Sequence, residues 1–147
     1  MTRDGLAALE AFAGFPERLA VAAVRAAARQ AVPVLDGEWA PEQVVRHLIA
    51  VEIEVQHRRV DDLLREPSPR WSWTEPGPWD GEPELDLAGV LERFAQVRAA
   101  TVALARTMDD AAWRRTGTHD VYGDLDGAGV IALAASHDEE HRAVLRG

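Results

Sequence analysis

Apolar positions along this chain recur at offsets of three and four, the period of an amphipathic helix. Four segments carry that period. The first spans Gly5 to Arg29, with Leu6, Leu9, Phe12, Leu19, Val21 and Val24 as its large apolar positions and alanine, the strongest helix former, filling much of the rest. Gly14-Phe15-Pro16 predicts an interruption that sets off a separate short helix at the start. The second opens at Pro41, which suits a first helical position, and runs to about Glu66, before Pro67. Its stripe is Val44, Leu48, Val51 and Val55. The third runs from about Leu87 to Thr107 with Asp86 as N-cap, and Val90, Leu91, Phe94, Val97, Val102 and Leu104 supply its apolar side. The fourth starts at Asp126 as N-cap and continues to Arg146, with Val130, Ala134, His137, His141 and Val144 on one face.

The stretches between them lack the period. Pro67 to about Asp86 holds five prolines, two glycines and Trp71, Trp73 and Trp79, a composition that excludes helix. Tryptophan is seldom left in water, so this segment is expected to fold back as a lid over the helices. Asp109-Asp110-Ala111-Ala112-Trp113 reads as a short helical turn, and Arg114 to Asp124 as irregular. No segment alternates with the strand period. The expectation is an all-α, four-helix bundle with long cross-connections, forming a single domain over residues 1–147.

Composition narrows the function classes. There are no cysteines, which removes disulfides, thiolate metal sites and a cysteine nucleophile. Net charge is -9, which argues against nucleic acid as a partner. All 16 basic residues are arginine, and with the heavy use of alanine this suggests a GC-rich bacterial genome. No segment has the length or the flanks of a membrane span or signal peptide, so no membrane association and a cytoplasmic location are expected.

The candidate chemistry lies in histidines on apolar faces. His137 and His141 are four residues apart, about 40° around a helix axis, so they stack one above the other. His47 lies in the stripe of the second helix. Three imidazoles in a core are poor packing unless they share a metal, which satisfies their nitrogens and leaves positions open for chemistry. The bland alternative is three hydrogen-bonded core residues. His57 is about 80° off the face of His47 and is expected at the surface. His119, in the irregular segment, could reach the mouth of the pocket, but a surface loop is the default expectation. The run from His137 to His141 echoes the H-E-x-x-H motif of zinc proteases, but Asp138 stands where that motif needs its glutamate. Asp138, Glu139 and Glu140 are expected to face solvent or to orient ligand rings. Glu52 and Glu54 are further acidic candidates on the second helix. Glu54, two turns beyond His47 on nearly the same face, is a weak candidate for a fourth ligand, a general base or an acceptor that orients a ligand; a surface or capping glutamate is slightly favoured.

Several marks in order carry a family resemblance. They are Gly37-Glu38-Trp39-Ala40-Pro41-Glu42 before the second helix, His47-Leu48 with Glu52 five after the histidine, Asp109 to Trp113, Tyr122-Gly123, and the terminal His137-x-x-x-His141. Over nearly its whole length the chain resembles the DinB/YfiT-like superfamily of four-helix metalloproteins. The resemblance implies metal ligands at His47, His137 and His141. It further implies a divalent metal (Zn, Ni, Mn or Fe) and a homodimer. Characterised relatives include transferases and isomerases that use a low-molecular-weight thiol such as mycothiol or bacillithiol. The family usually has Ser or Thr near the starts of the second and fourth helices, where this chain has Ala40 and Asp126.

The functional expectation is a metal-dependent enzyme that activates a thiol or water against a small electrophilic substrate, as an S-transferase or a hydrolase. Its pocket would be roofed by the tryptophan loop, with Arg46 or Arg70 placed to hold a thiol cofactor's carboxylate. The alternative from another class is a non-catalytic metal-binding stress-response scaffold.

Overall fold

The computed structural model describes residues 1–29 and 38–146. Gly37, one of the family marks, lies outside them. Helix α1 (Arg3–Arg29) runs unbroken through Pro16, against the predicted interruption. Pro16 has no N–H for the carbonyl one turn back, that of Phe12. Arg98, on another helix, donates from Nη1 to this carbonyl at 3.0 Å. A tertiary hydrogen bond replaces the one the proline removes.

Helix α2 (Pro41–Val51), a π-helical turn (Glu52–Gln56) and α3 (His57–Arg65) form one continuous rod. The π turn accommodates an extra residue and re-aims the side chains after it. Glu54, expected on the face of His47, is therefore exposed, whereas Glu52 and Gln56 are buried. His57 is half-buried, its Nδ1 3.1 Å from Thr101 Oγ1, rather than solvated. The remaining helices are α4 (Leu87–Arg106), α5 (Asp110–Arg114) and α6 (Gly127–Arg146). Asp86, Asp109 and Asp126 cap them by accepting from Gly89, Ala112 and Gly129 N–H groups at 3.0, 2.8 and 2.8 Å. Ala40 cannot accept such a bond. Gln43 Oε1 instead reaches back to the Ala40 N–H at 2.8 Å.

The bundle packs α1 against α6 and α4, and α2 against α4. Two apolar clusters fill it, one around Leu9, Phe12, Leu63 and Ile131, the other around Phe15, Leu19, Ile49 and Phe94. Arg98 sits at their junction, 1% exposed, its guanidinium 3.6 Å from the centre of the Phe12 ring. It donates to both oxygens of Asp138 and to Glu52 Oε1, each at 2.9 Å. Asp138 thus faces the core, not solvent or a histidine ring. Burial pushes its carboxyl up to about 7 against the pull of Arg98. Burial alone would lower the Arg98 pKa; the Glu52 and Asp138 carboxylates raise it.

The two long connections meet in a small sheet that the sequence pattern did not announce. Strands β1 (Arg70–Trp71), β2 (Gly117–His119) and β3 (Gly123–Leu125) lie in the order β1-β2-β3. β1 is parallel to β2, with Trp71 opposite His119, and β2 is antiparallel to β3. Strands of two and three residues are too short to show a period of two. Gly117 lies flat against the Trp71 indole, where a Cβ would collide with the ring. Gly123 takes φ +75 at the start of β3. Among the described residues, no helix is long and apolar enough to cross a membrane.

Candidate metal centre

Three segments deliver the polar atoms of the site. His47 comes from α2, His137 and His141 from α6, and Glu75 from the loop between β1 and α4. One ligand atom of each lies within 4.8 Å of all the others. His47 is fully buried, and the side chains of His137 and His141 are each 21% exposed. Trp39, just before α2, stands over the His47 ring with centroids 4.9 Å apart.

The loop is anchored so that Glu75 overhangs the histidines. Trp71 O accepts from Asp120 N–H, and Asp120 Oδ1 accepts from Trp73 N–H, each at 2.9 Å. Pro76 O lies 2.7 Å from His47 Nδ1. Arg46 donates to the carbonyls of Trp79, Gly81, Glu82 and Leu85 at 2.7–3.2 Å. Arg46, expected to hold a thiol cofactor, is committed to clamping the lid. Arg70 is exposed on β1. Trp71 is buried beneath the lid, Trp79 is half-buried beside Arg46, and Trp73 is exposed.

The hydrogen bonding at His47 tests whether a metal fits. A carbonyl only accepts, so the Nδ1 contact with Pro76 O places the ring proton on Nδ1. The Nε2 lone pair then faces Glu75 Oε1 at 2.9 Å. Two acceptors at that distance repel unless a metal ion or a proton, carried by the ring or by the carboxyl, lies between them. Burial lowers the His47 pKa, partly offset by Pro76 and Glu75, so a second ring proton is disfavoured at neutral pH. Burial, then His137 and His47, push His141 down to about 4. His137 Nε2 and His141 Nε2 are 3.2 Å apart and lie 3.5 and 3.9 Å from Glu75 Oε1. Ligands held about 2.1 Å from one ion at tetrahedral to octahedral angles are separated by about 3.0–3.4 Å. The donor set suits a divalent metal in charge and protonation; the His47–Glu75 and His137–His141 separations lie close to that range, while Glu75 stands farther from His137 and His141.

The structure brings together the three histidines singled out in the sequence and leaves Glu54 outside. It adds Glu75, which periodicity could not reveal because its loop has none. One signal was present: Glu75 is the sole acidic residue between Glu66 and Asp80, within a run of prolines and tryptophans. His119 is 2% exposed rather than in a surface loop. It joins Arg59, Tyr122 and Trp73 in the wall of a pocket of about 70 Å³, which Glu75 and His137 also line. Glu139 pairs with Arg142 at the surface, and Glu140 lies on the rim of the pocket.

A four-helix bundle with three inward histidines and a carboxylate from a long crossover defines a class of candidate metalloproteins. The chain belongs to the DinB superfamily, whose family profile matches residues 11–145. It is similar in structure to YfiT from Bacillus subtilis, with TM-score 0.71 and 22% identity, over 97% of this chain and 85% of that one. YfiT is described as a probable metal-dependent hydrolase with an unusual four-helix bundle topology. No curated protein matches the chain.

Proposed function

We propose that this protein is a divalent-metal-dependent enzyme acting on a small molecule, with His47, His137 and His141 as metal ligands. One observation carries the reading: the Nε2 of His47, whose ring proton is held on Nδ1 by Pro76 O, faces a Glu75 carboxyl oxygen across 2.9 Å. The description of YfiT as a probable metal-dependent hydrolase supports the same class. A divalent ion supplies Lewis-acid polarisation and a lowered pKa to a water or thiol brought to it.

The chain's own residues do the rest. Pro76 O fixes the tautomer of His47, so the correct nitrogen is presented. The clamped loop holds Glu75, 38% exposed, where it can accept a proton from an incoming water or thiol. Attack on an electrophile would then take place in the adjoining pocket. Water as nucleophile gives hydrolysis, and a low-molecular-weight thiol gives transfer.

The second reading is a non-catalytic metal-binding scaffold. It is favoured by Glu75, because four protein ligands close a site and closed sites are structural. Metal content by plasma mass spectrometry is the first test. About one metal per chain is expected, lost in His47→Ala, His137→Ala and His141→Ala; a wild type that takes up no Zn, Ni or Mn would overturn both readings. Glu75→Gln then separates them. Metal retained with turnover of model electrophiles lost supports a proton acceptor, whereas metal lost supports a closed structural site.

A further inference from the structure

Arg59 is a largely buried residue whose guanidinium has no ion-pair partner among the described residues. It is 7% exposed. Among the described residues its guanidinium has no hydrogen-bond acceptor and no carboxylate within ion-pair distance, although buried arginines are ordinarily paired. The other two buried arginines are committed, Arg46 to four carbonyls and Arg98 to two carboxylates and a carbonyl. Arg59 has only the Trp71 ring, 5.9 Å from its central carbon. Burial lowers its pKa, and Tyr122 and Asp120 oppose that only at a distance.

His119 supplies a second uncommitted donor in the same wall. Its Nδ1 accepts from the backbone N–H groups of Val121 and Tyr122 at 3.0 and 3.2 Å. Those two bonds place the ring proton on Nε2. His119 Nε2 is buried and has no partner. Arg59 and His119 thus line one pocket, the first without an ion-pair partner and the second with an unpartnered Nε2–H.

We propose that this pocket binds the carboxylate of a small organic acid, held by Arg59 and the His119 Nε2–H, with the rest of the acid directed toward His137 and Glu75. One positive charge matches a monoanion. Glu75 and Glu140 at the same pocket oppose negative charge away from Arg59, a phosphate dianion more strongly than a carboxylate, which favours the carboxylate. About 70 Å³ accommodates roughly five water-sized groups, and Val51, Val55 and Leu133 give it an apolar side. The ligand is therefore a short acid, with carboxylate at one end and a reacting group at the other. As a statement about substrate this rests on the metal-enzyme reading; as a statement about binding it stands apart from it.

The test titrates propionate and inorganic phosphate at pH 7.5 into the full chain, with zinc and after chelation. Binding is read from tryptophan fluorescence, since Trp73 lines the pocket, and from the His119 ring nitrogens by NMR. Saturable propionate binding is expected, weakened about 30-fold or more in Arg59→Met and partly recovered in Arg59→Lys. Phosphate should bind more weakly than propionate. Absence of propionate binding in wild type, or equal binding in Arg59→Met, overturns the proposal. Tighter phosphate binding overturns the carboxylate assignment. If Arg59→Met does not fold, Arg59→Lys decides: unchanged affinity with unmoved His119 signals overturns the proposal. Metal content in the same samples separates the two readings. Propionate bound by a chain that takes no metal leaves this pocket and removes the metal enzyme, and metal bound without propionate does the reverse.

Discussion

Two polar clusters are buried in this bundle, and they are built on opposite logic. Around Arg98, donors meet acceptors: four hydrogen bonds reach Asp138, Glu52 and the Phe12 carbonyl. Around His47, acceptors meet acceptors: an imidazole lone pair faces a carboxylate, and two further Nε2 atoms stand close by. The clusters adjoin, since Asp138 follows His137 in sequence and Glu52 lies five residues after His47. The first cluster is a brace, largely complementary within itself although Arg98 Nε and Glu52 Oε2 lack partners. The second leaves the His47 Nε2 and a Glu75 carboxyl oxygen facing each other, an arrangement that a cation would complete.

The sharpest way to break this contrast is at the brace. Arg98→Met leaves two carboxylates buried without their counter-charge, and should cost about 3–5 kcal/mol in urea unfolding of the metal-free protein. A loss below about 1 kcal/mol would mean that the Arg98 cluster is no more structural than the other.

A smaller effect is expected in the pH dependence of the histidine cluster. His141 is held at about 4 when folded and returns to its ordinary value, near 6.5, when unfolded. Between those values the unfolded chain binds more protons at this residue, so its contribution to stability rises with pH over that window and is level above it. The stability of metal-free wild type minus that of His141→Ala should therefore increase from pH 4 to 6.5. A flat difference would show that His141 titrates alike in both states.

The smallest effect is expected at Glu54. Its side chain is exposed within the π turn. Glu54→Ala should leave metal content unchanged and stability within about 0.5 kcal/mol. Loss of metal in this variant would return Glu54 to the site and displace Glu75.

The fate of Glu54 and Glu75 marks where the sequence could be read and where it could not. Helical period and caps placed the four long helices to within about two residues, because Asp86 and Asp126 act locally. The same period put His47, His137 and His141 on inward faces. It failed where a face shifted mid-helix: a π turn leaves no composition signal, so Glu54 was carried along an ideal spiral that the chain does not follow. It also failed where placement depends on contacts made across the fold. Glu75, His119 and Arg59 converge only because Arg46 clamps one connection and β1 pairs with β2. Arg46 and Asp138 have the chemistry of functional residues and are used to hold the protein together.

Pro16 carries a consequence for how the molecule assembles. On its own, the α1 segment should fray around the proline, because the Phe12 carbonyl would have only water to bond. It becomes one rod when α4 arrives with Arg98, and the same guanidinium then also holds α6 through Asp138 and the π turn through Glu52. Completion of one helix and docking of its neighbours are thus a single event. This buried charge ties local and global order together, so neither should persist without the other.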